Sequence, residues 1–595
     1  MEDFIFGTLA TEELRRKHRH VLLNGVTHRS RRFPRDPQPG QAVQLELIVG
    51  THWPCKQAWV YWTADGRDPL GAHGSAALGQ ALAMQPSGVD WDVLEWGYIS
   101  TFRVNLPAQP AGTIVRYRLS AVDPAGIETF ADQGAFFAYF VSEDPLPEWA
   151  RDAVIYEIFV DRFSPSPGKA WLTPETPAGF YGGTLLGIAD KLDYLSDLGV
   201  DTLWLTPVFP SPSHHGYDAT DYFDIEPRLG SKSDLRHLLD EAHSKGLRIL
   251  LDFVPNHWSQ AHPTFQAALQ DRNSLYVNWY NFTRWPDQYE TFFGVKSLPQ
   301  INLRNPQARQ HLLDAATYWL EFGVDGYRLD YAIGPTPDFW ADFRRVTRQI
   351  KPDCWTFGEV VEPSDAQVAF HGLLDGCLDF MLLEALRQTF AFGRWDAQRF
   401  AAFLDRHEAF FPEDFSRPSF LDNHDMNRYL WSVGDDQRRL KLAALCQFTL
   451  AAPPVIYYGT EVGLSQERDV RQGQRGLPEE SRLPMLWGDR QDSALLDFYR
   501  QLIGLRRQEP ALRIGNRHTL IAEGPLLAYT RYHRSVELAA VFNLDEKPAN
   551  IHMPGNWDAI LLATDPALHL MPAVDATSVE LPPFAGVLLK KAIKE

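Results

Sequence analysis

Between Ala153 and about Arg507, short apolar runs alternate with amphipathic helical segments, and this alternation constrains the fold more than any other feature of the sequence. Strands that alternate with helices pair in parallel, because each connection is long enough to cross over the sheet. Eight runs have the composition of strands: 154–160, 202–205, 247–254, 326–330, 354–359, 377–380, 419–422 and 455–458. Eight such strands over roughly 350 residues predict an α/β chain with a (β/α)8 TIM barrel and insertions.

The helix before the fourth strand shows the pattern most completely. Asn305 has the composition of an N-cap, Pro306 occupies the first helical position, and Gly323 follows the last turn. Proline at the start and glycine after the end is the asymmetry that helix termini favour. The sequence therefore predicts a helix that starts at Pro306, stops at Gly323 and delivers the chain to the fourth strand.

One insertion and two flanking segments interrupt or extend the barrel. Residues 258–300, after the third strand, are the longest insertion; we expect a small non-helical lobe at the barrel mouth. Residues 1–145 alternate with a period of two, as in Val43, Leu45, Leu47 and Val49, and predict a β-sandwich without a long helix. Alternation returns after Arg507, so the predicted domains are 1–145, the barrel at 146–507, and a C-terminal β-sandwich at 508–595.

The N-terminal segment is rich in tryptophan. Trp53, Trp59, Trp62, Trp91 and Trp96 all lie within it. Flat indole faces bind sugars and also fill subunit interfaces, but they pack equally well inside a sandwich. The sequence leaves three interpretations of this domain: carbohydrate binding, dimerisation, or aromatic core.

The charge and the cysteines narrow the class of partner and the compartment. The chain has 595 residues with 57 Lys and Arg against 76 Asp and Glu, a formal charge of −19, which argues against nucleic acid and favours a neutral substrate. The four cysteines form no Cys-x-x-Cys pair, so no disulfide framework is expected. The first six residues include Glu2 and Asp3 where a signal peptide is basic, and no apolar run is long enough for a bilayer. We expect a soluble, cytoplasmic protein with no membrane partner.

Polar residues cluster where the predicted strands end. In such barrels the chemistry lies at the carboxyl ends of the strands. The candidates are Asp252, Asn256 and His257 after strand three, Arg328 and Asp330 on strand four, Glu359 on strand five, and Asn423, His424 and Asp425 after strand seven. Arg328 and Asp330 are two residues apart in a strand, so they share a face, and a fixed cation keeps a carboxylate nucleophile ionised. Any one of these acids alone could be a cap or a salt bridge; three acids at three strand ends indicate a site.

The same stretches carry a family resemblance. Four motifs occur in order: Asp-Phe-Val-Pro-Asn-His at 252–257, Gly-Tyr-Arg-Leu-Asp at 326–330, Phe-Gly-Glu-Val at 357–360 and Phe-Leu-Asp-Asn-His-Asp at 420–425. Supporting matches lie at 216–222, 298–302 and 458–461. The chain thus resembles the alpha-amylase superfamily, glycoside hydrolase family 13, from about Arg151 to its last residue.

The resemblance implies a role for each residue. Asp330 would be the nucleophile, Glu359 the acid and base, and Asp425 the third catalytic carboxylate, which binds hydroxyls and distorts the ring. Substrate-binding roles are implied for Tyr217, His257, Arg328, Asn423 and His424, and structural roles for Asp252 and Asn256. The implied activity is a retaining hydrolysis of α-1,4 and also α-1,6 glucosidic bonds in maltooligosaccharides, cyclodextrins, starch or pullulan, with transglycosylation as a side reaction.

Two departures from the family pattern bear on specificity and metal binding. Gly334 stands four residues after the nucleophile, where relatives often have His or Glu, and Val361 follows the acid, where relatives acting on cyclodextrins commonly have Trp. The Leu-Pro-Gln-Ile-Asn segment at 298–302 is nevertheless similar to the neopullulanase, cyclomaltodextrinase and maltogenic amylase group. Asn256 resembles a Ca²⁺ ligand of the family, but its usual partner position is Gly334, so we predict no required cofactor and no tightly bound metal.

Three other functions compete with hydrolysis. The same covalent intermediate would serve an α-glucan or sucrose transglycosylase. A non-catalytic glucan-binding protein on this fold would lack the nucleophile or the acid, whereas Asp330 and Glu359 are both present. A metal-dependent hydrolase would need a His-x-His pair on the first strand, which has Tyr156-Glu157-Ile158 instead. A homodimer through the N-terminal domain is the protein partner we expect.

Overall fold

The computed structural model describes residues 12–471, 478–557, 559–566, 568–573 and 576–592. The acidic first six residues, from which the absence of a signal peptide was predicted, lie outside this part of the chain. Within it, no helix combines the length and the apolar composition that crossing a membrane requires.

A parallel barrel forms the centre of the protein, as predicted. Seven strands are hydrogen-bonded in the spatial order six, five, four, three, two, one, eight. In chain order they are Ile155–Ile158, Thr202–Leu205, Arg248–Phe253, Gly326–Leu329, Trp355–Gly358, Gly376–Cys377 and Val455–Tyr457. We refer to each by its position in the predicted series of eight.

The seventh position closes the barrel without a regular strand. Cys377 N donates to Ser416 O at 3.0 Å on one side, and Val455 N donates to Ser419 O at 2.7 Å on the other. Pro418 has no N–H group, and Pro453 and Pro454 face this segment, so a continuous ladder cannot form here. In place of the predicted strand at 419–422, the structure has two isolated bridges, between Gly376 and Ser416 and between Ser419 and Pro454.

Helices of the barrel follow the strands. They span Glu148–Asp152, Val160–Phe163, Leu185–Asp190, Leu192–Leu198, Lys232–Ser244, Pro306–Glu321, Pro337–Ile350, Ser364–Val368, Phe380–Leu386, Ala397–Phe410, Tyr429–Ser432, Gln437–Thr449, Ser493–Gln508 and Ala511–Ile514. The helix at Pro306 has the predicted ends: Asn305 Oδ1 accepts from the N–H groups of Gln307 and Ala308, and Gly323 follows with φ 114°. The first strand is shorter than predicted, because Val160 already begins a helical turn.

The lobe inserted after the third strand is partly helical, against the expectation. Pro263–Gln270 is a helix whose N-cap, His262, precedes a proline at the first turn. A small hairpin, Phe282–Arg284 with Gln288–Tyr289, follows it. The ends of the lobe meet at a bridge between His257 and Gln300, which fixes the lobe over the barrel mouth.

The N-terminal domain is a nine-stranded antiparallel sheet folded over its own core. Its strands are Val26–Thr27, Arg32–Phe33, Val43–Val49, Gln57–Thr63, Gln80–Asp92, Gly97–Leu106, Ile114–Val122, Glu128–Phe130 and Phe137–Phe140. The long strand Gln80–Asp92 pairs with Gln57–Thr63 through its first half and with Gly97–Leu106 through its second half, so it joins the two layers of the predicted sandwich. The four alternating residues from Val43 to Val49 are all buried. The expectation of no long helix was wrong, since Glu12–Leu23 is helical.

The C-terminal domain is a sandwich of two antiparallel sheets, as predicted. One sheet has the order Asn516–Glu523, Leu526–His533, Val536–Asn543, Gly586–Ala592, Ala559–Ala563, and the other Ala549–Pro554, Ala576–Leu581, His569–Ala573. Val541, Ile551, Val579 and Leu589 pack between the sheets. The division of the chain at residues 146 and 508 stays a prediction.

Candidate active site

Arg328, on the fourth strand, connects the carboxylates at the barrel mouth. Its side chain is fully buried, and its Nη1 donates to Asp330 Oδ1 at 2.8 Å and to both oxygens of Asp252 at 2.9 Å. Its Nη2 lies 2.7 Å from Glu359 Oε1, outside hydrogen-bond alignment, so this is a charge contact. One guanidinium therefore contacts acids from strands three, four and five. Because both of its terminal nitrogens share one carbon, Asp330 and Glu359 lie close together.

The third candidate acid, Asp425, joins the cluster from the segment after the seventh position. Arg482 Nη2 donates to its Oδ1 at 2.9 Å, and His424 Nε2 lies 3.1 Å from its Oδ2. Asp425 N donates to Asn423 Oδ1 at 3.0 Å, which fixes the turn that presents the carboxylate. Asn423 Nδ2 is buried and has no hydrogen-bond partner in the described part of the chain.

Exposure separates these three acids from the residues that hold them. Asp330, Glu359 and Asp425 keep 7%, 7% and 4% of their surface, whereas Arg328 and Asp252 keep none. The three acids are therefore slightly exposed to solvent, whereas the cation and the fourth acid are fully buried. This is the arrangement that a substrate reaching the carboxylates requires.

The electrostatics of the cluster separate Asp425 from the other two acids. Burial raises the pKa of Asp330 and that of Glu359 to about 7; Asp425 adds to both shifts and Arg328 opposes them. The pKa of Asp425 is instead well below its ordinary value, because His424 and Arg482 outweigh the effect of its burial. Asp330 and Glu359 titrate together, and the direct hydrogen bond from Arg328 favours the ionised form of Asp330 and leaves the proton on Glu359.

Tyr217 lies between Asp252 and His424. Its hydroxyl donates to Asp252 Oδ2 at 2.9 Å and lies 2.7 Å from His424 Nε2. Its ring is parallel to that of His424, with centroids 5.2 Å apart. Trp204 Nε1, on the second strand, also donates to Asp252 Oδ2, at 3.1 Å. Asp252 thus binds both Tyr217 and Arg328, and its structural role stays a prediction.

His257 and Asn256 connect the third strand to the lobe. Asn256 Nδ2 donates to His257 Nδ1 at 3.2 Å, so this ring carries its proton on Nε2, and burial lowers the pKa of His257 to about 3. The ring stacks on Phe292 of the lobe at 4.3 Å. Phe292 in turn contacts Phe293 and Tyr331, the residue after the candidate nucleophile. The lobe thus adds an aromatic wall, with Phe293 58% exposed, beside Asp330.

Gly334 has a steric reason to be glycine. A Cβ at this position would lie 2.1 Å from Asn256 Oδ1, which no side chain tolerates. Asn256 Oδ1 already accepts from Gln300 Nε2 at 3.1 Å. A hard cation needs several oxygen ligands, and Asn256 and Gly334 supply one side-chain oxygen, which already accepts from Gln300. The absence of a tightly bound metal stays a prediction.

Another group of potential metal ligands lies at the contact between the N-terminal domain and the barrel. Asp36, His371 and Asp414 bring ligand atoms within 4.8 Å of one another, the one such group among the described residues. Arg344 Nη2 donates to Asp36 Oδ2 at 3.0 Å. This group shares no residue with the site at the barrel mouth.

Two residues of the cluster were not expected from the sequence. Arg482, which pairs with Asp425, lies 57 residues beyond it and outside every motif. Glu157, on the first strand, lies 2.6 Å from His424 Nδ1. A signal for Glu157 was present, since it is the one charged residue in an otherwise apolar, fully buried strand; for Arg482 the sequence offered none.

Comparison with known proteins agrees with this geometry. The family described as alpha amylase, catalytic domain, matches residues 157–515. The chain is 42% identical over 413 residues to alpha-amylase 2 of Dictyoglomus thermophilum, covering 69% of this chain and 72% of that one. It is 35% identical over 468 residues to a cyclomaltodextrinase of Geobacillus thermopakistaniensis, covering 74% and 77%. The structure of the type III pullulan hydrolase from Thermococcus kodakarensis superposes with a TM-score of 0.67 at 27% identity, over 95% of this chain and 100% of that one. The protein therefore belongs to the alpha-amylase family of glycoside hydrolases.

Proposed function

We propose that the protein is a retaining α-glucan hydrolase that cleaves α-1,4 and also α-1,6 glucosidic bonds of maltooligosaccharides, cyclodextrins, starch or pullulan. The observation that carries this proposal is the contact of one buried guanidinium, Arg328, with both Asp330 and Glu359. Two carboxylates close together, one ionised and one protonated, are what a double displacement at an anomeric carbon requires.

The reaction follows from the protonation of the two acids. Asp330 attacks the anomeric carbon, and the bond to the leaving oxygen breaks as Glu359 transfers its proton to that oxygen. The resulting glycosyl ester on Asp330 is then attacked by water, whose proton returns to Glu359. Two inversions leave the anomeric configuration unchanged. Asp425 has a lowered pKa and is ionised near neutral pH. It accepts hydrogen bonds from sugar hydroxyls and favours the flattened ring of the transition state.

The substrate class rests on the surroundings of the site and on the relatives. A net charge of −19 and a site already rich in carboxylates disfavour an anionic substrate. The wall formed by Phe292, Phe293 and Tyr331 offers apolar ring faces to a neutral sugar chain. The names of the relatives, cyclomaltodextrinase and pullulan hydrolase, point to α-glucans. An acceptor sugar that replaces water at the ester would give transglycosylation, or make the chain an α-glucan or sucrose transglycosylase.

Product analysis on β-cyclodextrin, pullulan and soluble starch in parallel tests the proposal. We expect α-anomeric products from at least one of them, a loss of about 10²- to 10⁴-fold for Glu359→Gln, and a loss at least as large for Asp330→Asn. An aryl glucoside with a good leaving group needs no proton, so it should restore the first step in Glu359→Gln and not in Asp330→Asn. Equal turnover by Asp330→Asn, or β-anomeric products, would refute the mechanism; transfer products exceeding hydrolysis at high substrate would favour the transglycosylase.

Catalysis by this set of residues needs no metal, in our proposal. The committed amide of Asn256 and the absence of space at Gly334 support it. Incubation with a chelator should leave both the rate and the melting temperature unchanged. A loss of either on chelation, restored by Ca²⁺, would contradict this.

We also propose that the N-terminal domain forms a homodimer. The hairpin between Gln80–Asp92 and Gly97–Leu106 exposes three neighbouring aromatic side chains, Trp91, Trp96 and Tyr98, by 48%, 80% and 67%, and exposed apolar groups that lie together are typical of interaction sites. Sedimentation analysis should show a dimer that Trp96→Ser weakens. A monomer at all concentrations, with starch binding lost in Trp96→Ser, would assign the surface to sugar instead. A cytoplasmic location stays a prediction.

A further inference from the structure

Glu157 is a fifth carboxylate in the cluster, and the reaction described above gives it no role. It lies on the first barrel strand, Ile155–Ile158, and is fully buried. Its Oε1 is 2.6 Å from His424 Nδ1, and its Oε2 has no hydrogen-bond partner in the described part of the chain. A buried carboxylate with one unsatisfied oxygen is costly, so its retention at this position calls for a reason.

The contacts of His424 fix its protonation from geometry. Tyr217 gives its hydroxyl proton to Asp252, so the Tyr217 oxygen can only accept from His424 Nε2, which must carry a hydrogen. On the other side of the ring, one proton lies between Nδ1 and Glu157. An imidazole holds a proton more tightly than a carboxyl group does, so this proton belongs to Nδ1. His424 is therefore an imidazolium, in contrast to His257, whose Nδ1 accepts from Asn256.

We propose that Glu157 is a positioning residue that keeps His424 charged, and that the charged ring holds Asp425 and Tyr217 in place for the reaction. The inference rests on the proposed function and deepens it, because Asp425 and Tyr217 have their roles in the reaction proposed there. His424 Nε2 lies 2.7 Å from the Tyr217 hydroxyl, to which it donates, and 3.1 Å from Asp425 Oδ2, which is a charge contact outside hydrogen-bond alignment. A neutral ring with its lone pair on Nε2 would face both oxygens without a hydrogen and would repel the carboxylate.

Charged and titratable groups from several elements around His424 bear on this equilibrium. They are Glu157 on strand one, Tyr217 after strand two, Asp252 on strand three, Glu359 on strand five, Asp425 beside it, and Arg482, whose Nε donates to the carbonyl of His424 at 2.8 Å. Burial alone would lower the pKa of His424, but Asp425 and Glu157 raise it to about 10. With Glu157 neutral, only Asp425 would remain in direct contact as an anion, and the ring would lose its proton at a lower pH.

The first test examines the ring itself and does not depend on activity. Nitrogen and carbon resonances of the histidine rings are recorded for the wild-type protein, and those of His424 are identified by their loss in His424→Gln. We expect imidazolium shifts up to at least about pH 8, where a free imidazole is neutral. In Glu157→Gln the same resonances should change to those of a neutral ring at a lower pH. A neutral His424 in the wild-type protein at pH 8 would overturn the proposal, even for an enzyme that cleaves α-glucans as proposed.

The second test compares kcat/KM of Glu157→Gln with that of the wild type at about pH 5 and about pH 8. The deficit of the variant should be about tenfold larger at the higher pH, the loss expected for one charge-assisted hydrogen bond. Both proteins share the titration of Glu359, so its effect cancels in the ratio of their kcat/KM values. Glu461→Gln is the matched control: Glu461 is equally buried but binds Tyr156 and Tyr194 instead of His424, so any deficit should not vary with pH. In a His424→Gln background, Glu157→Gln should have no further effect. A deficit that is the same at both pH values would make Glu157 a packing residue and refute the proposal.

Discussion

Two charge clusters in this protein, one buried and one partly exposed, differ in composition and, we infer, in purpose. The mouth cluster has five carboxylates, Glu157, Asp252, Asp330, Glu359 and Asp425, around three cations, Arg328, His424 and Arg482. The interdomain cluster has three of each: Asp68, Asp338 and Asp342 with Arg116, Arg304 and Arg309. The first has an excess of negative charge and the second is balanced.

The excess of acids changes how the mouth cluster binds protons. Burial raises the pKa of Asp330 and Glu359, and three cations do not cancel five anions. In the interdomain cluster, burial also tends to raise the pKa of Asp338, but Arg309 and Arg116 outweigh it and the pKa is lowered. A cluster short of cations retains a proton near neutral pH, which acid catalysis needs. In the balanced cluster the pKa of Asp338 is lowered, and its ion pairs connect two segments of the chain.

That connection joins two domains. Arg116, from the N-terminal sheet, donates to Asp338 Oδ2 at 2.9 Å and also binds Asp342, both on the helix Pro337–Ile350. Arg309, from the helix before the fourth strand, donates to Asp338 Oδ2 at 2.5 Å. The helix Pro337–Ile350 follows directly after the loop that carries Asp330 and Gly334. The N-terminal domain is therefore fixed to the part of the barrel next to the site.

The same conservative substitution in each cluster gives the largest contrast. Arg328→Lys keeps the charge but cannot reach Asp252, Asp330 and Glu359 together, so we expect kcat/KM to fall by about 10²- to 10³-fold. Arg309→Lys loses one of its contacts to Asp338 and Asp342, which should cost about 2 kcal/mol of stability and leave kcat/KM within about twofold. Steady-state kinetics and thermal unfolding of both variants measure this.

The reverse outcome would remove the distinction between the clusters. If Arg309→Lys lost activity as Arg328→Lys does, while still folded at the assay temperature, the interdomain cluster would belong to the catalytic machinery. If Arg328→Lys were fully active, the guanidinium would not be the group that sets the charge of Asp330.

The sequence predicted the parts of the molecule that local chemistry determines. Asn305, Pro306 and Gly323 defined a helix because caps and stops act over a few residues. The strand ends placed Asp330, Glu359 and Asp425 in one cluster because parallel strands end on the same side of a barrel. Both predictions needed only short stretches and the topology of the fold.

What could not be predicted depends on contacts between distant segments. Arg482 contacts Asp425 only in the folded structure, and no motif or spacing in the sequence predicts this contact. The helix Glu12–Leu23 was missed because a charged stretch without apolar alternation was grouped with the sheet that follows. The seventh segment does not form a regular strand, because Pro418 lies in one of the two paired segments and Pro453 and Pro454 lie in the other. The roles of the mouth residues stay predictions until they are tested.

The smaller effect is a difference in pH dependence between the clusters. The pKa of Glu359 in the folded protein, about 7, is above the ordinary 4.5, so the folded state holds a proton that the unfolded chain releases between these values. Stability due to this group must therefore fall as pH rises from about 4.5 to about 7, and kcat/KM must fall about tenfold per pH unit above 7 as the acid loses its proton. Asp338 acts in the opposite direction: its pKa is lowered, so its contribution is present above 3.8 and is lost as pH falls further.

Glu359→Gln removes the penalty and should melt above the wild type at about pH 8, with the difference gone at about pH 4. A variant that melts lower at pH 8 would show that Glu359 is ionised at neutral pH and that the excess of carboxylates at the mouth does not retain a proton. A wild-type rate that is constant through pH 9 would show that the catalytic acid does not lose its proton near pH 7.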